Sequence, residues 1–198
     1  MGDHLPLFLS LLRRTGPMMP TLETERLKLR PFRPEDAAGV HVHCGNWNVA
    51  RMLARVAHPY TRELATGWIA SHDAAWRSGE EVTFCMDCDG EPIGAISLRR
   101  VRSGIYQLGY WLGEPWWGRG FATEAARRTV QFAFEELGAN KLVAGHFLDN
   151  PASGQVLEKC GFRYVGDGVE HSVARGETAA HRNLECRLDD NKDQAEMS

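Results

Sequence analysis

The segment EPWWGRGFATEA, residues 114–125, does more than any other to limit what this chain can fold into. A strand-like run ends at Leu112, Gly118 and Gly120 follow closely, and then Ala122, Ala126, Val130, Ala133 and Leu137 recur with a helical period up to Gly138. A strand that turns through glycines into a helix belongs to layered α/β architectures. Glycines let the backbone bend with its N–H groups turned outwards, and a helix start adds unpaired N–H groups at the positive end of its dipole. Such a turn can cradle a pyrophosphate, or it can simply join a strand to a helix. It is not a P-loop, because no Gly-Lys-Ser/Thr follows. It is not the dinucleotide fingerprint either, because Thr123 stands where a third glycine is required.

Around this segment the period changes twice. Residues 25–32 alternate as a strand, with Leu27 and Leu29 on one face and Arg26, Lys28 and Arg30 on the other. Pro34, Glu35 and Asp36 suit a first helical turn, residues 48–54 read as a short helix, and Thr61 can cap a third helix running to Ser78 with Gly79 past its end. Strands are then predicted at 82–86, 93–100 and 106–112. After the glycine turn and its helix come a strand at 142–148, a helix at 151–159, and strands at 162–165 and 183–188. The expected fold is α/β, with a mixed central sheet of about six to seven strands flanked by helices.

Composition removes several function classes. A formal net charge of -3 lacks the basic excess that nucleic-acid binding uses. Five scattered cysteines make no disulfide framework, and the C-x-x-C of Cys85 and Cys88 has no second pair to complete a metal site, so a reducing, cytoplasmic setting and no metal are expected. The apolar stretch from Leu5 to Leu12 is too short to span a bilayer and is followed, not preceded, by Arg13 and Arg14, so neither a membrane anchor nor a signal peptide is expected. Residues 1–20 are read as an N-terminal extension, of which 1–17 form a short docking helix or a mis-assigned start. Residues 21–188 are read as one domain and 189–198 as a polar, frayed tail.

A second segment carries chemistry. Asn150, Pro151, Ala152 and Ser153 precede VLEKCGF at 156–162. Asn150 can cap the helix or present its amide to a ligand across the sheet end, and the Ser153 hydroxyl lies in the same first turn. With the glycine turn, this segment resembles the GCN5-related N-acetyltransferase (GNAT) superfamily. The family's Gln/Arg-x-x-Gly-x-Gly/Ala pattern matches 117–122, with Gly120 and Ala122 in the small-residue places. Its downstream Asn-x-x-Ala/Ser and Lys-x-Gly-Phe elements match Asn150, Ser153, Lys159, Gly161 and Phe162. ETERLKLR at 23–30 and LGYWL at 108–112 resemble the RimJ/RimL-like, ribosomal-protein N-terminal branch.

The resemblance implies a GNAT fold with splayed strands and acetyl-CoA as co-substrate. The backbone of Tyr110, Trp111 and Leu112 would contact the acetyl and pantetheine groups. Trp117, Gly118, Arg119, Gly120, Phe121, Ala122 and Thr123 would hold the pyrophosphate, and Asn150 and Ser153 would line the thioester end. Three departures stand out: Trp117 in place of Gln or Arg, Leu157 in place of a tyrosine proton donor, and Gln107 in place of a glutamate base. With Leu157 unable to donate, Ser153 is the candidate acid. His41, His43, His58, His146 and His171, with several acids, are candidates for the base, no spacing selects one and a water relay is the alternative, so the base is left unnamed; Trp47 lies in a region that borders the acceptor site in the family. The implied activity is direct acetyl transfer to a protein N-terminal α-amine or a small amine, by a monomer or homodimer. The alternatives are an aminoglycoside acetyltransferase and a non-catalytic acyl-CoA-binding module.

Overall fold

The computed structural model describes residues 18–188. The expected docking helix or mis-assigned start at 1–17 and the expected frayed tail at 189–198 lie outside these residues. The chain enters through two short strands, β1 (Leu22–Glu23) and β2 (Lys28–Arg30), where the alternation predicts one. Thr24 makes the break. Its hydroxyl donates to the Leu27 carbonyl at 3.0 Å and accepts from the Leu27 N–H at 2.9 Å, folding the run into a tight hairpin.

Arg30, expected on the polar face, is instead buried. Its Nε donates to Asp87 at 2.6 Å, and its terminal nitrogens donate to both oxygens of Asp36 at 2.7 and 3.0 Å. A buried charge persists only when paired. Burial by itself would raise the Asp36 carboxyl, yet the Arg30 guanidinium holds it below the ordinary carboxylate value. This pair of contacts locks β2 to the short 3-10 turn at Pro34–Asp36 and to the strand that carries Asp87.

Three helices follow: α1 (Ala37–Gly45), α2 (Trp47–Ala50) and α3 (Arg62–Ser78). The predicted signals set the ends of α3, with the Thr61 hydroxyl accepting from the Leu64 N–H at 3.3 Å and Gly79 closing the helix at φ +67°. Then come β3 (Glu81–Cys88), β4 (Glu91–Arg102) and β5 (Ile105–Leu112), an antiparallel meander. α4 (Phe121–Glu135), β6 (Lys141–Phe147), α5 (Pro151–Glu158), β7 (Arg163–Ser172) and β8 (Glu177–Arg187) complete the chain.

The sheet has eight strands in the order β1-β2-β3-β4-β5-β6-β8-β7. The count exceeds the predicted six to seven because the opening run splits in two. The β7–β8 hairpin is also longer than predicted. Its exposed residues carry no apolar alternation to read, and backbone pairing from Arg163 to Ser172 extends it. α4 and α5 cover one face of the sheet, where Phe84, Ile96, Leu108 and Leu142 join the main core and Phe84 meets Phe132 edge-on at 5.6 Å. α1 and α3 cover only one end of the other face, packing Val40 and Ile69 with Ala95 and Trp111. Among the described residues no helix is long and apolar enough to cross a membrane.

Candidate active site

Strands β5 and β6 run parallel, but their register holds only from Ile105 with Lys141 to Gln107 with Val143. Both strands then continue, β5 to Leu112 and β6 to Phe147, without pairing to each other. The sheet therefore splits, and the edges of residues 108–112 and 144–147 face a gap. A cavity of about 1310 Å³ runs through this split and reaches both faces of the sheet.

On the face that carries α4 and α5, the glycine turn meets the split. Gly118 and Gly120 adopt φ +73° and +83°, a left-handed backbone that side chains resist. Among the described residues nothing accepts from the backbone N–H groups of residues 118–123. The first N–H groups of a helix have no partner within it, and with those of the glycine turn ahead of it they form an anion cradle. Arg119 has no carboxylate partner among the described residues, and its guanidinium lies 4.8 Å from the Trp116 ring and 5.1 Å from Phe121. The donor set fits a pyrophosphate.

One expected cradle member, Trp117, is engaged elsewhere through both its backbone and its side chain. The Trp117 N–H donates to the Glu114 carbonyl at 3.1 Å, so the free run begins at Gly118. The Trp117 indole donates to the Leu112 carbonyl at 2.7 Å, which pins the turn to the end of β5 and occupies an acceptor expected to face the pantetheine arm. Arg26 was not foreseen. It donates to the Arg119 carbonyl at 2.9 Å, stacks on Phe121 at 4.4 Å and pairs with Glu124 at 2.6 Å, bracing the cradle from β2's entry loop. Its signal was hidden because an arginine beside a strand reads as a solvated charge.

Asn150 and Ser153 come together with Tyr110. Asn150 caps α5, its side-chain oxygen accepting from the Ser153 N–H at 3.3 Å. The Ser153 hydroxyl lies 2.7 Å from the Tyr110 hydroxyl, close enough for either to donate, and the same phenol lies 3.1 Å from the Ser153 carbonyl, its alternative acceptor. Burial pushes the Tyr110 phenol well above its ordinary value, and the Ser153 hydrogen bond offsets only part of that. The phenol therefore keeps its proton at neutral pH, and the paired hydroxyls can relay it. Leu157 is fully buried between the helices and the sheet.

The opposite face of the split is an open trough. Its floor is small at the centre, where Thr83, Ser97 and Gly109 sit side by side across β3, β4 and β5 and Gly145 pairs with Asn183 beyond the gap. Trp68 and His72 of α3 stand on one flank, and Glu170 and His181 of the β7–β8 hairpin on the other. Of the five histidines expected as base candidates only His146 lines the cavity. His41 donates to the Tyr60 carbonyl at 2.8 Å, His58 packs on Trp47 at 5.1 Å, and His171 is exposed. His43 is partly buried, which lowers its affinity for a proton. Trp47 is 44% exposed and is not among the cavity-lining residues. Its neighbours Asn46 and Asn48 donate to the two oxygens of Glu114 at 2.6 and 2.9 Å, tying α2 to the turn ahead of the cradle.

Comparison with known proteins agrees with this geometry. Residues 26–163 match the family model described as the acetyltransferase (GNAT) domain. The probable N-acetyltransferase YjcK of Bacillus subtilis (strain 168) is 40% identical over 171 residues, covering 82% of this chain and 94% of that protein. Mycobacterium smegmatis RimJ, solved in complex with CoA-disulfide, shares the fold at a TM-score of 0.78 and 21% identity, over 86% of this chain and 88% of that one. The ribosomal-protein-S5-alanine acetyltransferase from Vibrio fischeri does so at 0.75 and 19% identity, over 87% and 98%.

Proposed function

This chain belongs to the acetyltransferase (GNAT) family and is an acetyl-CoA-dependent N-acetyltransferase, and from that premise we propose that its acceptor is a protein N-terminal α-amine or a small primary amine. The observation that carries the reading is the meeting of two differently built spaces at one split in the sheet: a backbone cradle with free N–H groups on one face and an open, small-floored trough on the other.

When bound, acetyl-CoA supplies an acetyl group activated as a thioester. The chain's own residues do the rest. The N–H groups of residues 118–123 and the Arg119 guanidinium hold the pyrophosphate. The unpaired edge of β5 at Tyr110 and Trp111 orients the acetyl end. Ser153 gives a proton to the departing sulfur, and Tyr110 replaces it through their 2.7 Å contact. This relay takes over the part that Leu157 cannot play.

An α-ammonium, with a pKa of about 8, reaches its reactive neutral form far more readily near pH 7 than a lysine ammonium at about 10.4. A trough floored by small residues admits an extended chain end, and the RimJ and S5-alanine acetyltransferases have the same fold. A polycationic sugar would want several unpaired acids. Of the acids lining the trough, Glu185 is paired with Lys141, Asp149 with Arg175 and Glu81 with Arg55, which leaves Glu170.

The test is acetyl-CoA-dependent thiol release against N-terminal peptides, polyamines and aminoglycosides, with cofactor binding followed by calorimetry. Turnover confined to peptides or small amines is expected. Turnover on aminoglycosides alone would move the acceptor class, and binding without release from any amine would leave a non-catalytic module.

A further inference from the structure

We infer that His181 is the general base of the transfer, accepting the proton that the acceptor nitrogen loses as it attacks. This rests on the amine-acceptor reading above. His181 lies on β8 opposite Phe147, and its ring occupies the space beside Gly145, two residues past the last β5–β6 pair. A Cβ at Gly145 would stand 2.1 Å from the ring's Cε1, 2.8 Å from its Nε2 and 2.6 Å from the Arg182 carbonyl, so a side chain there would displace the imidazole. The missing side chain is what lets a histidine on β8 reach across β6 to the split.

The surroundings fix the ring. Phe147 meets it edge-on at 5.7 Å and 84°. Phe147 is in turn covered by the Arg175 guanidinium at 4.7 Å, which Asp149 holds at 2.9 Å. The groups that act electrostatically on the imidazole are Glu170 from β7, the Asn183 side chain on β8 and His146 from β6. Burial outweighs the upward pull of Glu170 and Asn183, so the proton affinity falls below the ordinary value and the ring is neutral at pH 7.

The other basic groups of the cavity are placed for different tasks. His146 donates from Nδ1 to the Phe147 carbonyl at 2.8 Å, and its Nε2 faces Gly154 under α5, on the cofactor side. His72 is wedged among Trp68 and Phe32, with ring centroids at 4.5 and 5.4 Å, on the far flank. Gln107 accepts no proton. His181 is the imidazole that borders the split from the open face, the side from which the acceptor arrives.

The step balances. The nitrogen lone pair of the neutral amine forms the N–C bond, the C–S bond breaks, and its electrons leave on sulfur. One proton passes from nitrogen to His181, one from Ser153 to sulfur, and solvent exchange resets both groups.

The test compares the full-length protein with H181Q on the acceptor that the wild type turns over. In the wild type, log kcat/KM against pH is expected to fall with slope of about one below the amine pKa and about two below the imidazole pKa. H181Q should lose about a hundredfold in kcat/KM at pH 7, keep slope of about one throughout, and bind acetyl-CoA within about twofold of wild type. A loss under about threefold, or a second inflection that persists in H181Q, would overturn the assignment. E170Q supplies a check if H181Q does not fold. Removing that carboxylate should move the lower inflection to more acid pH, and an unmoved inflection counts against His181. A wild type that releases no thiol with any amine rejects the acceptor reading itself and this inference with it.

Discussion

The two faces of the split in the sheet are built from different materials. The wall proposed for the cofactor is mainly backbone: N–H groups without a partner among the described residues over six consecutive positions, held in shape by two glycines at positive φ. The wall proposed for the acceptor is mainly side chains, contributed by α3, β3, β4, β5, β6, β7 and β8, on a floor kept low by small residues. A backbone wall is specified within one stretch of sequence and is indifferent to most side chains. A side-chain wall is specified across the whole fold, and each member is exposed to substitution.

That contrast can be broken at several points. The largest effect is expected at Ser153, where the walls meet. Ser153→Ala should lower kcat about a hundredfold while acetyl-CoA binding stays within about twofold, since the loss is of a proton path and not of a contact. Equal losses in both would make Ser153 a binding group only. Gly120→Val should weaken acetyl-CoA binding about thirtyfold by calorimetry, because a β-branched residue resists φ +83° and the cradle loses its shape. An unchanged affinity would show that the cradle is not built by its backbone.

Stability offers a third point. Both ring nitrogens of His72 are buried with no hydrogen-bond partner among the described residues, and burial pushes the imidazole down to about 4 from its ordinary 6.5. The unfolded chain therefore binds the extra proton first as pH falls. The stability is full above about pH 6.5 and is lost progressively down to about pH 4. His72→Phe should raise stability by about 1–2 kcal/mol at pH 7 and by more at pH 5, read from denaturant melts at both values. The smallest effect is expected at Arg119. Arg119→Ala should cost only about threefold in acetyl-CoA affinity and flatten its salt dependence, because the backbone carries most of the binding.

The same contrast explains what the sequence could disclose. The glycine turn, the Asn150 cap and the ends of α3 at Thr61 and Gly79 are local, and each was readable where it stands. Tyr110 and Ser153 could each be picked out as candidates, Tyr110 only for its backbone, but the contact of its phenol with Ser153 depends on the parallel register of β5 and β6. His181 was out of reach. It sits in a hairpin whose exposed strands carry no hydrophobic period, and its role depends on an absent side chain at Gly145 on another strand. Arg30 was misjudged for a related reason. Alternation assigns a face, but only the fold supplies Asp36 and Asp87, which make that face tolerable for a buried charge.

Glu114 has a consequence for how any kinetics on this protein must be interpreted. Both of its oxygens are spent on Asn46 and Asn48, so one carboxylate rivets the helix beside the trough to the loop that precedes the cradle. A substitution at any of the three loosens both ends at once. Michaelis constants for the two substrates would then drift together without either substrate having touched the altered residue. Paired drift of that kind is the signature of a shared frame, and a double-mutant cycle between Glu114 and Asn48 separates it from direct recognition.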